Sequence, residues 1–158
     1  MKKAKTPRKH CYDHPRPAVT VDIVILHRWK RGARVLLIQR GREPFKGGWA
    51  FPGGFVDKDE SLEKAAAREL YEETGLAEIE LEQLGAFGDP GRDPRGHTVS
   101  VVFGALLENQ LEPTAADDAE AATWHSASKP PALAFDHKKI LREAFRRLVG
   151  DAPARKKK

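Results

Sequence analysis

The chain has 158 residues, 40% of them hydrophobic and 32% charged, with a net charge of +5. That length is enough to bury the core of one domain, the mixture is that of a water-soluble globular protein, and no apolar run approaches the roughly 20 residues of a membrane span. A single cysteine, Cys11, excludes an internal disulfide and a cysteine zinc cluster and points to a reducing, cytoplasmic setting.

The positive charge is confined to the ends. Lys2, Lys3, Lys5, Arg8 and Lys9 contribute +5 and residues 151–158 a net +3, which leaves −3 for the stretch between. The expected organisation is a basic flexible tail over 1–13, one folded domain over 14–149 and a second basic tail over 150–158. Charge distributed in this way argues against a specific nucleic-acid partner, and the basic start lacks the apolar stretch of a signal peptide.

The β-rich run Ala18 to Leu26 and the run Arg34 to Arg40 predict a hairpin that turns near Gly32. Gly41 to Gly48 reads as a loop, followed by a short strand at Trp49 that Pro52 breaks before a glycine turn. A helix comes next, with Asp59 or Ser61 as its cap, high helix propensity through "EKAAARELYEET", and Gly75 where a left-handed stop belongs. Strands at "IELEQLGAF" and "HTVSVVFGALL" flank the rigid polar loop Gly88 to Gly96, which carries Arg92 and Arg95. An acidic loop with Asp117, Asp118 and Glu120 leads to a short strand around Ala121 to His125. Asp136 is placed to cap a last helix, whose Ile140, Leu141, Ala144, Phe145 and Leu148 recur at helical spacing. The fold class is α/β, a mixed central sheet between helices in an α/β/α sandwich.

The helix after the glycine turn carries an apparent fault. Glu69, Glu72 and Glu73 lie at i, i+3 and i+4, so three like charges share one face, and each such pair costs a few tenths of a kcal/mol in an isolated helix. Hard cations such as Mg2+ or Mn2+ take oxygen ligands, and a bound divalent cation would turn that repulsion into attraction. An acidic helix face beside a glycine turn suits phosphoryl transfer. No serine or cysteine arrangement suggests a covalent nucleophile, and the six histidines lack metal-site spacing.

Gly54, Glu60 and the run Arg68 to Leu76 fit Gx5Ex7REUxEExGU, with U aliphatic, at every specified position. This stretch resembles the Nudix box, the signature of hydrolases that cleave nucleoside diphosphates linked to another group. The resemblance implies a Nudix-like sandwich in which Glu69, Glu72, Glu73 and the Gly53 carbonyl hold Mg2+ or Mn2+. It implies that Glu69 is a further ligand or the base that activates water, that Arg68 orients the glutamates, and that Glu60 braces Arg68 or a second metal. Gly54 and Gly75 are structural members of the motif.

The segments "HPRPAVTVDIVIL", "FGDPGRDPRGHTVSVVF" and "PPALAFDHKKIL" are similar to the ADP-ribose pyrophosphatase branch, with which ADP-ribose-sensing regulators share them. The implied reaction is hydrolysis of ADP-ribose to AMP and ribose 5-phosphate. Oxidised nucleoside triphosphates and other sugar nucleotides are the alternative substrates. The intact box and the short stretch after the last predicted helix disfavour a regulator with a DNA-binding domain. A homodimer is implied by the family alone. For substrate contacts, Arg40, Arg92 and Arg95 are the cations offered to a pyrophosphate, with Asp89 or Asp93 as competing partners of the loop arginines. Trp49 and Phe51 are placed to stack on adenine or to pack. Glu120 is the first choice for a late acidic residue, as auxiliary metal ligand or base.

Overall fold

The computed structural model describes residues 12–30, 32–115 and 119–150. Strand β1 (Ala18–Trp29) is the spine of one mixed sheet, which also contains β2 (Gly32–Arg40), β3 (Trp49–Ala50), β4 (Gly53–Phe55), β5 (Glu82–Phe87), β6 (Thr98–Leu107) and β7 (Ala119–Ser126). Helices α1 (Leu62–Thr74) and α2 (His137–Leu148) complete the described elements. β1 runs parallel to β6 along ten residue pairs, while β2 and β4 pair with β1 antiparallel and β5 pairs antiparallel with β6.

The sheet is split, and the split positions the site. β2 pairs with β1 only where the hairpin begins, from Leu26 opposite Val35 to Trp29 opposite Gly32. Beyond that the two strands part: β2 pairs with β7 and β3, and the start of β1 pairs with β4, Asp22 lying opposite Gly53. The glycine turn therefore sits in the gap between diverging strands, under the glutamate face of α1.

Alternation along β1 explains the two layers, since successive side chains point to opposite faces. Val21, Ile23 and Ile25 pack with Ala65, Ala66 and Leu70 of α1. Val24 and Leu26 pack with Ile140, Leu141 and Ala144 of α2. Full burial of such aliphatic side chains is worth about 1.5–3 kcal/mol each, so both faces of the strand hold a helix. Asp22 interrupts the second face as a buried carboxylate. Among the described residues no helix is long and apolar enough to cross a membrane.

The helix ends bear on two expectations. Ser61, not Asp59, caps α1, its hydroxyl accepting a hydrogen bond from the Lys64 N–H at 3.3 Å, and Gly75 stops the helix at φ 68° with its N–H donating to the Tyr71 carbonyl. Asp136 does precede α2 but makes no side-chain cap. Its carboxylate is instead held by Arg92, at 3.0 and 2.6 Å.

Candidate active site

Arg68 resolves the crowding of glutamates on α1. Its Nε and one terminal nitrogen donate to the two oxygens of Glu60, at 2.8 and 2.9 Å. The other terminal nitrogen donates to Glu69 Oε1 at 2.7 Å and Glu72 Oε2 at 3.1 Å. A further bond reaches the Phe55 carbonyl at 3.2 Å, which ties α1 to β4. One guanidinium thus bridges three carboxylates, offsets part of their repulsion and ties the helix face to the glycine turn. The Arg68 bonds, followed by the Asp57 N–H, lower the Glu60 carboxyl to about 2. Glu60 lies eight residues before Arg68, outside the spacing of helical ion pairs, and the turn at the helix start brings it back.

Glu73 completes the connection, accepting a hydrogen bond from the Gly53 N–H at 2.9 Å. Burial raises its pKa to about 8 against the lowering effect of that bond, and the charge of Glu69 adds to the rise. Burial also raises the pKa of Glu69, which Arg68 opposes. Gly54 is a glycine for reasons of space: a Cβ there would lie 2.6 Å from the Glu69 carboxyl carbon. A Cβ on Gly53 would collide with the Val21 carbonyl oxygen.

Glu69 and Glu73 open on a cleft of about 420 Å³, also walled by Arg40, Phe55, Arg68 and Arg95 among others, whereas Glu72 does not line it. A larger groove of about 760 Å³ between β5 and α2 contains one carboxylate, Glu143, which is paired with Arg146 and Arg147. The box glutamates Glu69 and Glu73 therefore line the smaller cleft and not the larger groove. Among the described residues no three acidic or histidine side chains converge on one point. The reason is local, since Arg68 holds one oxygen of Glu69 and one of Glu72, while the Gly53 N–H holds one of Glu73. The donor set nevertheless fits a hard divalent cation. It supplies oxygen donors only, the glutamate carboxylates and the Gly53 carbonyl, and the Glu69 carboxylate is packed into a cradle that a Cβ at position 54 would fill.

The proposed substrate contacts separate. Arg40 lines the cleft, anchored by a 2.8 Å bond from its Nε to the Pro44 carbonyl and lying over the Phe135 ring. Arg95 also lines the cleft but is held bidentately by Asp93, which is the expected competing partner. Arg92 corrects the expectation. Its side chain is 4% exposed and is paired with Asp136 rather than Asp89 or Asp93, so it is buried framework and not an open phosphate ligand. Asp89 pairs with Lys139 instead.

Phe51 takes the packing alternative. It is 2% exposed, with its ring stacked on His137 at 4.7 Å, so no base can reach its face. Trp49 is half-buried and packs edge-on against His125 at 4.4 Å, away from the residues that line the cleft. Glu120 stands exposed at the start of β7, beside the bulge between Gln39 and Arg40, and does not line the cleft. Asp117 and Asp118 lie outside the described residues.

Sequence reading missed a buried network beneath the glycine turn. Asp22 accepts a short hydrogen bond from the Ser100 hydroxyl, and His137 Nε2 approaches its other oxygen at 3.4 Å. His137 Nδ1 accepts the Phe51 N–H at 3.1 Å, which leaves the ring proton on Nε2, facing Asp22. Burial pushes the Asp22 pKa up, but His137, Ser100 and Arg92 together hold it below its ordinary value. The available signal was an aspartate inside an otherwise apolar strand.

The sequence model of the NUDIX domain matches residues 16–148. The chain belongs to the Nudix family. Its relatives sharpen the class. It is 42% identical to an ADP-ribose pyrophosphatase of Methanocaldococcus jannaschii, covering 92% of this chain and 82% of that protein. It is 39% identical to the ADPR-responsive transcriptional repressor NtrR of Acinetobacter baylyi, over 86% of this chain but only 56% of that one. Among solved structures, the NUDIX domain of Shewanella oneidensis NrtR complexed with ADP ribose superposes with a TM-score of 0.76 at 35% identity, covering 86% of this chain and 93% of that domain. The fold and the similarity to the pyrophosphatase make this chain a Nudix pyrophosphohydrolase.

Proposed function

We propose that this enzyme hydrolyses ADP-ribose to AMP and ribose 5-phosphate with Mg2+ or Mn2+. The observation that carries the reading is the placement of Glu69 and Glu73 in one cleft with Arg40. Arg40 is a cation with no carboxylate among the described residues at ion-pair distance. A pyrophosphate brings the negative charge that Arg40 lacks, and the carboxylates face the phosphorus atoms beside it. ADP-ribose is favoured as the ligand because it appears in the names of a pyrophosphatase, a repressor and a solved complex that resemble this chain. The glutamates favour its cleavage over its mere binding.

Glu69, Glu72, Glu73 and the Gly53 carbonyl would hold the cation, whose chemistry is to stabilise phosphoryl charge and make water more acidic. The chain's own residues do the remainder. Arg40 binds and orients the diphosphate by charge-assisted bonds. Arg68 keeps Glu69 and Glu72 in place. Glu69, with Oε2 unengaged by Arg68 and its basicity raised by burial, accepts the proton of the attacking water. The water oxygen bonds to one phosphorus, the bridging P–O bond breaks, and the other phosphate leaves. The test is a hydrolysis panel of ADP-ribose, nucleoside triphosphates, other sugar nucleotides and dinucleoside polyphosphates, with products identified. ADP-ribose should have the highest kcat/KM and yield equimolar AMP and ribose 5-phosphate; a faster triphosphate would overturn the substrate.

A further inference from the structure

Stacking of a base needs an aromatic face open to the cleft, and neither Trp49 nor Phe51 offers one. Phe55 does. It ends β4 directly after the two glycines, is 44% exposed, and lines the same cleft as Glu69 and Glu73. Its backbone is fixed on both sides, paired with Thr20 of β1 and bonded through its carbonyl to Arg68. The guanidinium of Arg95 lies over its ring, 4.8 Å from the centroid.

Arg95 is itself locked. Asp93, whose side chain is 2% exposed, accepts from both Nε and a terminal nitrogen of Arg95, at 3.0 and 2.7 Å. A guanidinium neutralised in this way is a weak partner for phosphate but a rigid planar backing for an aromatic ring. Arg40 is then the cation left for the diphosphate. The other exposed aromatic of this region, Phe45, packs edge-on against Phe135 at 4.9 Å and does not line the cleft.

We propose that Phe55, backed by Arg95 and Asp93, is the surface on which the nucleobase stacks, and that it sets the enzyme's preference for a base-bearing phosphate. The assignment rests on reading this cleft as a nucleoside diphosphate site. It moves the base from the two aromatics before the glycine turn to the one after it, and it changes Arg95 from a phosphate ligand into a positioning residue.

Calorimetric titration of the full chain with AMP and with ribose 5-phosphate tests it without requiring turnover. Wild type should bind AMP about tenfold or more tighter than ribose 5-phosphate, the scale of one base–aromatic stack. Phe55→Ala should lose that preference while its melting temperature stays near wild type, Phe55→Trp should keep it, and Phe45→Ala should leave it unchanged. Equal binding of the two ligands by wild type overturns the proposal. So does a preference that survives in Phe55→Ala, or one that collapses in Phe45→Ala. Base-dependent binding without ADP-ribose cleavage would overturn the substrate proposed above and leave this assignment standing.

Discussion

Arg68 clasps Glu60 through two parallel hydrogen bonds, 2.8 and 2.9 Å long, and with its remaining nitrogen holds Glu69 and Glu72. The fork geometry is what lets one cation serve three carboxylates, and a lysine cannot reproduce it. Arg68→Lys should therefore lower kcat on ADP-ribose by at least about tenfold with a smaller change in KM, because it misplaces the catalytic groups rather than the diphosphate. Steady-state kinetics checks this. A change confined to KM would place Arg68 on the substrate instead.

Gly54→Ala is the sharper steric test. The new methyl would occupy the space of the Glu69 carboxylate, and a displacement of about 1 Å at a reacting group costs on the order of a hundredfold in rate. The expected outcome is a loss of kcat/KM of about that size with a folded protein by circular dichroism.

Glu73 links acidity to stability. Its folded pKa near 8 lies above the ordinary carboxyl value, so the folded protein retains a proton that the unfolded chain releases near pH 4.5. The stabilisation is complete below about pH 4.5 and is lost as the pH rises toward 8. In EDTA, the melting temperature of wild type relative to Glu73→Gln should fall across that window. Added Mg2+ competes with the proton, so its stabilising effect should be larger at pH 8.5 than at pH 6. A metal-induced gain independent of pH would remove Glu73 from the ligand set.

Arg92 is expected to matter for stability rather than affinity. Its side chain is 4% exposed and that of Asp136 19%, and breaking a buried pair by removing one partner costs about 3–5 kcal/mol. Arg92→Ala should lower the urea-derived stability by that amount. Arg92→Ala with stability intact and a raised KM would return Arg92 to the phosphate site.

What could be read from the sequence was local. Ser61, Gly75 and the glutamates of α1 belong to one helix and its two caps, where 3.6-residue periodicity and cap chemistry determine the geometry, and Glu60 directly precedes the first cap. The Asp22, Ser100, Arg92, Asp136 and His137 network joins four distant segments through the parallel pairing of β1 with β6 and the docking of α2. Sequence neighbours misled there: Asp89 and Asp93 were nearer to Arg92 in the chain, but Asp136 holds it. The choice between stacking and packing for the aromatics stayed open for a related reason. Which of Trp49, Phe51 and Phe55 faces the cleft depends on how the chain turns at Pro52 between two short strands, and no periodicity extends across that turn.

In the proposed mechanism the buried carboxylates of α1 drive hydrolysis in the cleft beside Arg40, and Glu73→Gln is the decisive variant. With ADP-ribose and Mg2+ at pH 8, AMP formation by Glu73→Gln should fall by at least about a hundredfold, the scale expected when loss of a cation ligand misplaces the reacting groups. Its fold should stay intact and its melting-temperature gain from Mg2+ should shrink. AMP release at the wild-type rate, with the Mg2+ gain unchanged, would overturn that mechanism.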